Sequence, residues 1–273
     1  MSTFVLIHGA GDVGWYWHLV EKELRARGHC VVAPDLPGDD DSLTLDDYAD
    51  AVVEEVGDRH GLVVVGQSFG AFTAPLVSVR RPVEALVLVA GMVPEPGESP
   101  DQWWSSTGYT EAVRRQAARD GVTGSDDPYI AFYHDVPREL AQEALSKGRA
   151  HPSSAASAQP WPLNAWPAVP TRFVLCTEDR LFPPDFLRRL VLERLGLVPH
   201  EIAASHCVAL SRPVELAGIL VDAAKSQRHR AGAAGADSRP RAAGDPAAAG
   251  PASSPSPPAR PMRQPNPGPS EGG

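Results

Sequence analysis

The sequence predicts an α/β protein: a mostly parallel sheet of about six strands flanked by helices. Three observations carry the prediction. Short runs at residues 3–7, 30–33, 62–66, 83–90, 171–176 and 201–203 are apolar at nearly every position rather than at alternate ones. Strands of that kind are buried on both faces, which is the habit of parallel sheets. Stretches with helical spacing separate most of them, as parallel neighbours require. The third run ends in Gly66-Gln67-Ser68-Phe69-Gly70 and passes directly into a helix-like segment, a strand–turn–helix corner.

The elements follow in order. Residues 3–7 form a buried strand that empties into the loop His8-Gly9-Ala10-Gly11. Trp15, Leu19, Val20 and Leu24 fall on one face of a helix over 15–27 that Gly28 closes. The second strand stops at Pro34-Asp35-Leu36-Pro37-Gly38, and Thr44 caps a helix to about residue 60, with Asp46 and Asp47 in its first turn. Strand 62–66, helix 71–79 and strand 83–90 complete the first half. From about 93 to 166 the pattern is rich in Pro, Trp, Ser and charge and reads as an inserted helical cap, with helices at 111–119 and 138–146. Its aromatic residues supply an apolar wall or, for most of them, the cap's own core. The sheet resumes at 171–176, followed by a helix over 185–195, a short strand and a last helix from Pro213 to about Lys225.

Residues 1–225 form one domain, and 226–273 are a tail of Ala, Gly, Pro, Ser and Arg with almost no large apolar side chain. Such a composition cannot bury enough surface to offset chain entropy, so disorder is expected there. The formal charge is −9, and the tail's six arginines against three acids leave the domain near −12. That argues against nucleic acid or an anionic membrane as partner. Cys30, Cys176 and Cys207 are scattered and odd in number, residues 1–3 lead straight into a strand without a basic leader, and no apolar run reaches membrane-spanning length. A soluble cytoplasmic protein with reduced thiols, monomeric or homodimeric, is expected.

Ser68, Asp179 and His206 each follow an apolar strand. In an open parallel sheet the carboxyl ends of the strands share one edge, so the three types that nucleophilic catalysis needs converge there. A serine hydroxyl needs a base, which His206 supplies; Asp179 would orient the imidazole and stabilise its protonated form. The developing oxyanion needs donors, and the backbone N–H groups of Ala10 and Phe69 are placed for it. Glu178 competes with Asp179 from the adjacent position. His8 reads as a brace for its loop rather than a catalyst. No cofactor or metal is expected.

These residues resemble the α/β-hydrolase superfamily, specifically the branch of plant hydroxynitrile lyases, methyl-salicylate-type esterases and small bacterial esterases related to both. The resemblance rests on Phe4–Gly11 with Gly14-Trp15-Tyr16-Trp17, on Ala33–Gly38, on the Gly-Gln-Ser-Phe-Gly corner, and on Ser205-His206-Cys207 through Pro213. It covers about residues 3–224 and implies the α/β-hydrolase fold with a helical cap. Lyases of this branch carry Thr after the first-strand His and Lys after the catalytic His; Gly9 and Cys207 stand at those positions here. The resemblance therefore implies a cofactor-free serine hydrolase that cleaves a small-molecule carboxylic ester through an acyl-enzyme, with a pocket between the serine corner and the cap at Gly9, Trp15, Phe69, Cys207 and some of the cap's aromatic residues. The alternatives are a lyase-like or carbon–carbon-cleaving enzyme, or a ligand-binding member with little turnover. Where the family usually has Gly and Asp before the histidine, this chain has Ala204-Ser205.

Overall fold

Six strands form one all-parallel sheet: β1 (Thr3–Ile7), β2 (Cys30–Val32), β3 (Leu62–Gln67), β4 (Val83–Val89), β5 (Thr171–Cys176) and β6 (His200–Ile202), in the spatial order β2-β1-β3-β4-β5-β6. This computed structural model describes residues 1–149 and 152–236. The register brings the strand ends level: Ile7 pairs with Gly66, Gln67 with Val89, Val89 with Val174 and Cys176 with Ile202. The loops after β1, β3, β5 and β6 therefore open along one edge.

Helices cover both faces. A 3₁₀ turn at Gly14–Trp17, α1 (His18–Ala26) and the final helices α10 (Val208–Ser211) and α11 (Pro213–Ala236) lie on one side; there Trp17, Leu24, Leu216 and Leu220 bury against Phe4, Leu6, Val63 and Val87. On the other, α2 (Leu45–Val56), α3 (Gly70–Ser78) and α9 (Pro184–Leu195) pack Tyr48, Phe72 and Leu187 against Val5, Val64 and Leu88. Thr44 caps α2 with a reciprocal box, its hydroxyl accepting from the Asp47 N–H while the Asp47 carboxylate accepts from the Thr44 N–H.

Between β4 and β5 the chain makes α4 (Pro100–Ser106), α5 (Tyr109–Asp120), α6 (Pro128–Ala131), α7 (Arg138–Lys147) and α8 (Ser154–Ala158). Two of these lie on the helices expected from spacing. The others are one or two turns long and start at Pro or Ser caps, too short for apolar periodicity to show. Trp103 and Trp161 are fully buried and donate their indole N–H groups to the carbonyls of Val93 and Phe72, each at 3.1 Å. Arg194 and Glu98 form a buried pair, with Nη2 to Oε1 at 2.9 Å, that ties α9 to the chain leading into α4.

The last helix corrects an expectation: it does not stop near Lys225 but runs to Ala236. Ala231, Ala233, Ala234 and Ala236 have the strongest intrinsic helix preference, which outweighs the scarcity of apolar side chains at the start of the tail. The disorder expected of the tail otherwise falls on residues 237–273, outside the described residues. No helix among the described residues is long and apolar enough to cross a membrane.

Candidate active site

Ser68 occupies the corner between β3 and α3 with φ of +50°, one of two non-glycine residues with positive φ among those described. A side chain in that region costs on the order of 1–2 kcal/mol, and surrounding structure must impose it. Hydrogen bonds impose it here: the Ser68 N–H donates to the Val89 carbonyl, and the Ser68 carbonyl accepts from Ala71 and Met92. Close approach does the rest. A Cβ on Gly66 would stand 2.6 Å from the Gly70 carbonyl oxygen, and one on Gly70 2.7 Å from that of His8. Both glycines are needed for β3, α3 and the β1 loop to meet.

His206 follows β6 and is 5% exposed. Its Nδ1 donates to Asp179 Oδ2 at 2.7 Å, which leaves Nε2 as an acceptor. The other carboxylate oxygen, Asp179 Oδ1, accepts from the backbone N–H groups of Leu181 at 2.8 Å and Phe182 at 2.9 Å. The whole carboxylate is thus locked before it meets the imidazole. Glu178, its neighbour, is exposed and makes no contact of this kind. The rings of Phe182 and Phe132 meet the imidazole edge-on, 5.2 and 5.9 Å between centroids.

Gln67 is a partner that sequence reasoning missed. Its Nε2 lies 3.1 Å from His206 Nε2 and donates to it. Its Oε1 is buried without a hydrogen-bond partner and sits over Gly9, where a Cβ would come within 2.3 Å of it. Only the side-chain type gave a signal in the sequence, since strand alternation does not tell which way a terminal strand residue points. Asp135, in the segment between α6 and α7, was also missed: its Oδ2 accepts from the Ser205 N–H at 3.0 Å and holds the strand-to-histidine loop from outside.

The loop after β1 contributes backbone. His8 is 1% exposed; its Nδ1 donates to the Gly9 carbonyl at 2.9 Å and its Nε2 accepts from the Leu36 N–H at 3.0 Å. Both nitrogens are used in bracing two loops, and burial depresses its basicity. Ala10 and Phe69 line a cavity of about 510 Å³ that also reaches Ser68, Gln67 and His206. Phe69 is the N-cap of α3, so its N–H lies at the helix's positive end.

Of the residues expected to form the pocket, Phe69, Cys207 and the cap aromatics Trp104, Phe132 and Tyr133 line this cavity, whereas Gly9 and Trp15 do not. Gly9 lies beneath it, covered by Gln67 and Ser68. Trp15 turns away, stacked on His18 at 4.2 Å with Lys147 over its ring. The 3₁₀ turn that aims Trp15 outward is anchored by the Gly14 N–H, which donates to Asp35 at 2.7 Å. Met92 and Leu181 complete the apolar walls. Cys207 and Tyr133 are both held well above their ordinary pKa values by burial and are neutral. Asp12 faces the same space, and burial pushes its carboxyl up to about 7 against the attraction of His206.

The sequence profile of the alpha/beta hydrolase family matches residues 4–219, and the chain belongs to that family. It is 26% identical over 252 residues to methylesterase 7 of Arabidopsis thaliana, covering 82% of this chain and 96% of that one. It is 25% identical over 255 residues to norfluorocurarine synthase 1 of a Strychnos species, covering 78% of this chain and 91% of that one. The crystal structure of polyneuridine aldehyde esterase superposes with a TM-score of 0.67 at 21% identity, over 81% of this chain and 98% of the other.

Proposed function

We propose that this protein is a cofactor-free serine hydrolase that cleaves a small-molecule carboxylic ester. The observation that carries the reading is the convergence on one cavity of a strained serine and a histidine. Ser68 has φ of +50°, and His206 has its proton-donating nitrogen already bound to a locked Asp179. A methylesterase among the relatives supports ester hydrolysis as the reaction class.

In this mechanism His206 Nε2 removes the Ser68 proton as Oγ attacks the ester carbonyl, and Asp179 steadies the imidazolium. The Ala10 and Phe69 N–H groups receive the oxyanion. His206 returns the proton to the leaving alcohol, and water, activated by the same nitrogen, releases the acid and regenerates Ser68. The lone pair that accepts from Gln67 is the one that must reach Ser68, so the Gln67 amide yields when substrate binds.

That hydrogen bond also favours a second reading, a ligand-binding member in which Gln67 keeps His206 occupied and turnover is slow. One assay separates the two. Hydrolysis of p-nitrophenyl acetate by the native protein, lost in Ser68→Ala, supports the esterase. Absence of hydrolysis with small-molecule binding retained overturns it.

A further inference from the structure

The cavity above Ser68 has a one-sided electrostatic character. Asp12 from the β1 loop and Asp101 from the first turn of α4 both line it, and none of the described lining residues is Lys or Arg. The cations on the adjoining segment are engaged elsewhere. Arg149 pairs with Asp35 and Asp39, and Lys147 lies over Trp15 with Glu143 beside it. Four aromatic side chains, Phe69, Trp104, Phe132 and Tyr133, make up much of the remaining wall.

Asp12 has no role in the hydrolytic mechanism above. Its carboxylate takes no hydrogen bond from any described residue, and burial raises its pKa to about 7. A carboxylate so placed is costly to ionise unless a positive charge reaches it. Inside the site the one partner of opposite charge is the His206 imidazolium of the mechanism above. A ligand can supply a permanent one. Carboxylate together with aromatic faces is the chemistry that recognises substituted ammonium groups.

We propose that this site selects esters bearing a cationic nitrogen, with the ammonium group seated between Asp12 and the aromatic wall and with Asp101 attracting it at the mouth. The proposal rests on the esterase reading and adds the substrate class. Esters carrying a free carboxylate are disfavoured by the same two acids.

The test uses the full chain and two acetate esters of equal shape, acetylcholine and its carbon isostere 3,3-dimethylbutyl acetate. Each kcat/KM is divided by that ester's rate with hydroxide to remove intrinsic reactivity. The charge on choline is fixed, so any pH dependence of the ratio belongs to the protein. The normalised ratio should favour the cation by roughly tenfold at pH 8. It should fall as pH drops through about 7 and Asp12 takes up its proton. In Asp12→Asn it should fall several-fold, to the share that the aromatic wall and Asp101 supply, and lose its pH dependence near 7. A ratio of one or less in the native protein, or a preference undiminished in Asp12→Asn, overturns the proposal. If Asp12 served only to stabilise the His206 imidazolium, Asp12→Asn would slow both esters alike and leave the ratio intact, which also overturns it. Binding of phenyltrimethylammonium against tert-butylbenzene, read by quenching of tryptophan fluorescence in the native protein, tests the cation seat without turnover. Tighter binding of the cation is expected, and equal or weaker binding refutes the seat. Failure to hydrolyse p-nitrophenyl acetate instead refutes the esterase reading and leaves the binding result to stand by itself.

Discussion

Replacing Asp179 by Asn changes one non-hydrogen atom and should cost far more than its size suggests. Asp179 Oδ1 accepts two backbone N–H groups, from Leu181 at 2.8 Å and Phe182 at 2.9 Å. An amide nitrogen cannot accept, so in Asp179→Asn the amide oxygen must keep that position. The NH₂ group is then forced onto the Oδ2 side, 2.7 Å from His206 Nδ1. Two donors cannot face each other at that distance. The imidazole must shift its proton to Nε2, so that Nδ1 accepts from the amide. Nε2 then carries the hydrogen and can no longer take one from Ser68. Gln67 can accommodate this tautomer by turning its amide oxygen toward Nε2, with the NH₂ taking the unpartnered position over Gly9.

The expected loss in kcat is about 10⁴-fold, or about 5.5 kcal/mol at about 1.4 kcal/mol per factor of ten. The fold should survive. The two backbone hydrogen bonds remain and lose only their charge assistance, about 1 kcal/mol, for a fall in Tm of roughly 3 °C. The assay is p-nitrophenyl acetate turnover from pH 6 to 9, with Asp179→Ala for comparison. Alanine leaves the imidazole free to choose its tautomer, so Asp179→Asn should be at least as inactive although it is nearly isosteric. Activity in Asp179→Asn within tenfold of the native protein, or well above that of Asp179→Ala, would refute the tautomer argument.

Other perturbations test other parts of the site. Ser68→Gly and Ser68→Ala should both lose hydrolysis. Only the glycine relieves the positive φ, so Ser68→Gly should melt about 2–4 °C above Ser68→Ala in a thermal scan, for about 1 kcal/mol of relieved strain. Gly9→Ala places a Cβ 2.9 Å from that of Ser68 and 2.3 Å from Gln67 Oε1. Displacing the corner in this way should lower kcat/KM by roughly 100-fold, measurable in the same ester assay. Asp12 bears on stability as well as selectivity. Between about pH 4 and about pH 7 its folded carboxyl keeps a proton that the unfolded chain has lost, so stability falls as pH rises across that window. Asp12 is only partly buried, and solvent screening keeps the cost to about 2 kcal/mol, below the full linkage value. Asp12→Asn should therefore raise Tm at pH 8 by roughly 5 °C and hardly change it at pH 4.

The sheet was legible because parallel strands are buried on both faces: Val63-Val64-Val65 and Leu86-Val87-Leu88 are apolar at every position and fully enclosed. Strand-end placement then brought Ser68, Asp179 and His206 to one edge before any contact was known. The pocket was legible only in part: Phe69 and some of the cap aromatics were expected there, but not which of them. Its walls are Trp104, Phe132 and Tyr133, carried on or beside cap helices of four to seven residues whose packing is set by tertiary contact rather than by periodicity. Trp103 and Trp104 show the difficulty. They are neighbours in sequence, yet the first is sealed in the core beneath Phe182 and Phe186 while the second faces the cavity. Trp15 misled for a related reason: a 3₁₀ turn rotates side chains by a different angle from the α-helix that its spacing suggested.

Gly9 is where sequence and structure give different reasons for the same residue. Its lack of a side chain suggested room for substrate, but the volume above it is filled by the Gln67 amide. Positions 9 and 67 therefore compete for one space. A Thr at 9 requires a shorter or re-aimed side chain at 67, and a Gln at 67 requires Gly at 9. Because Gln67 is also the group bonded to His206 Nε2, the choice at position 9 reaches the base without touching it. A β-branched residue there would push away the amide and alter which donor the imidazole meets.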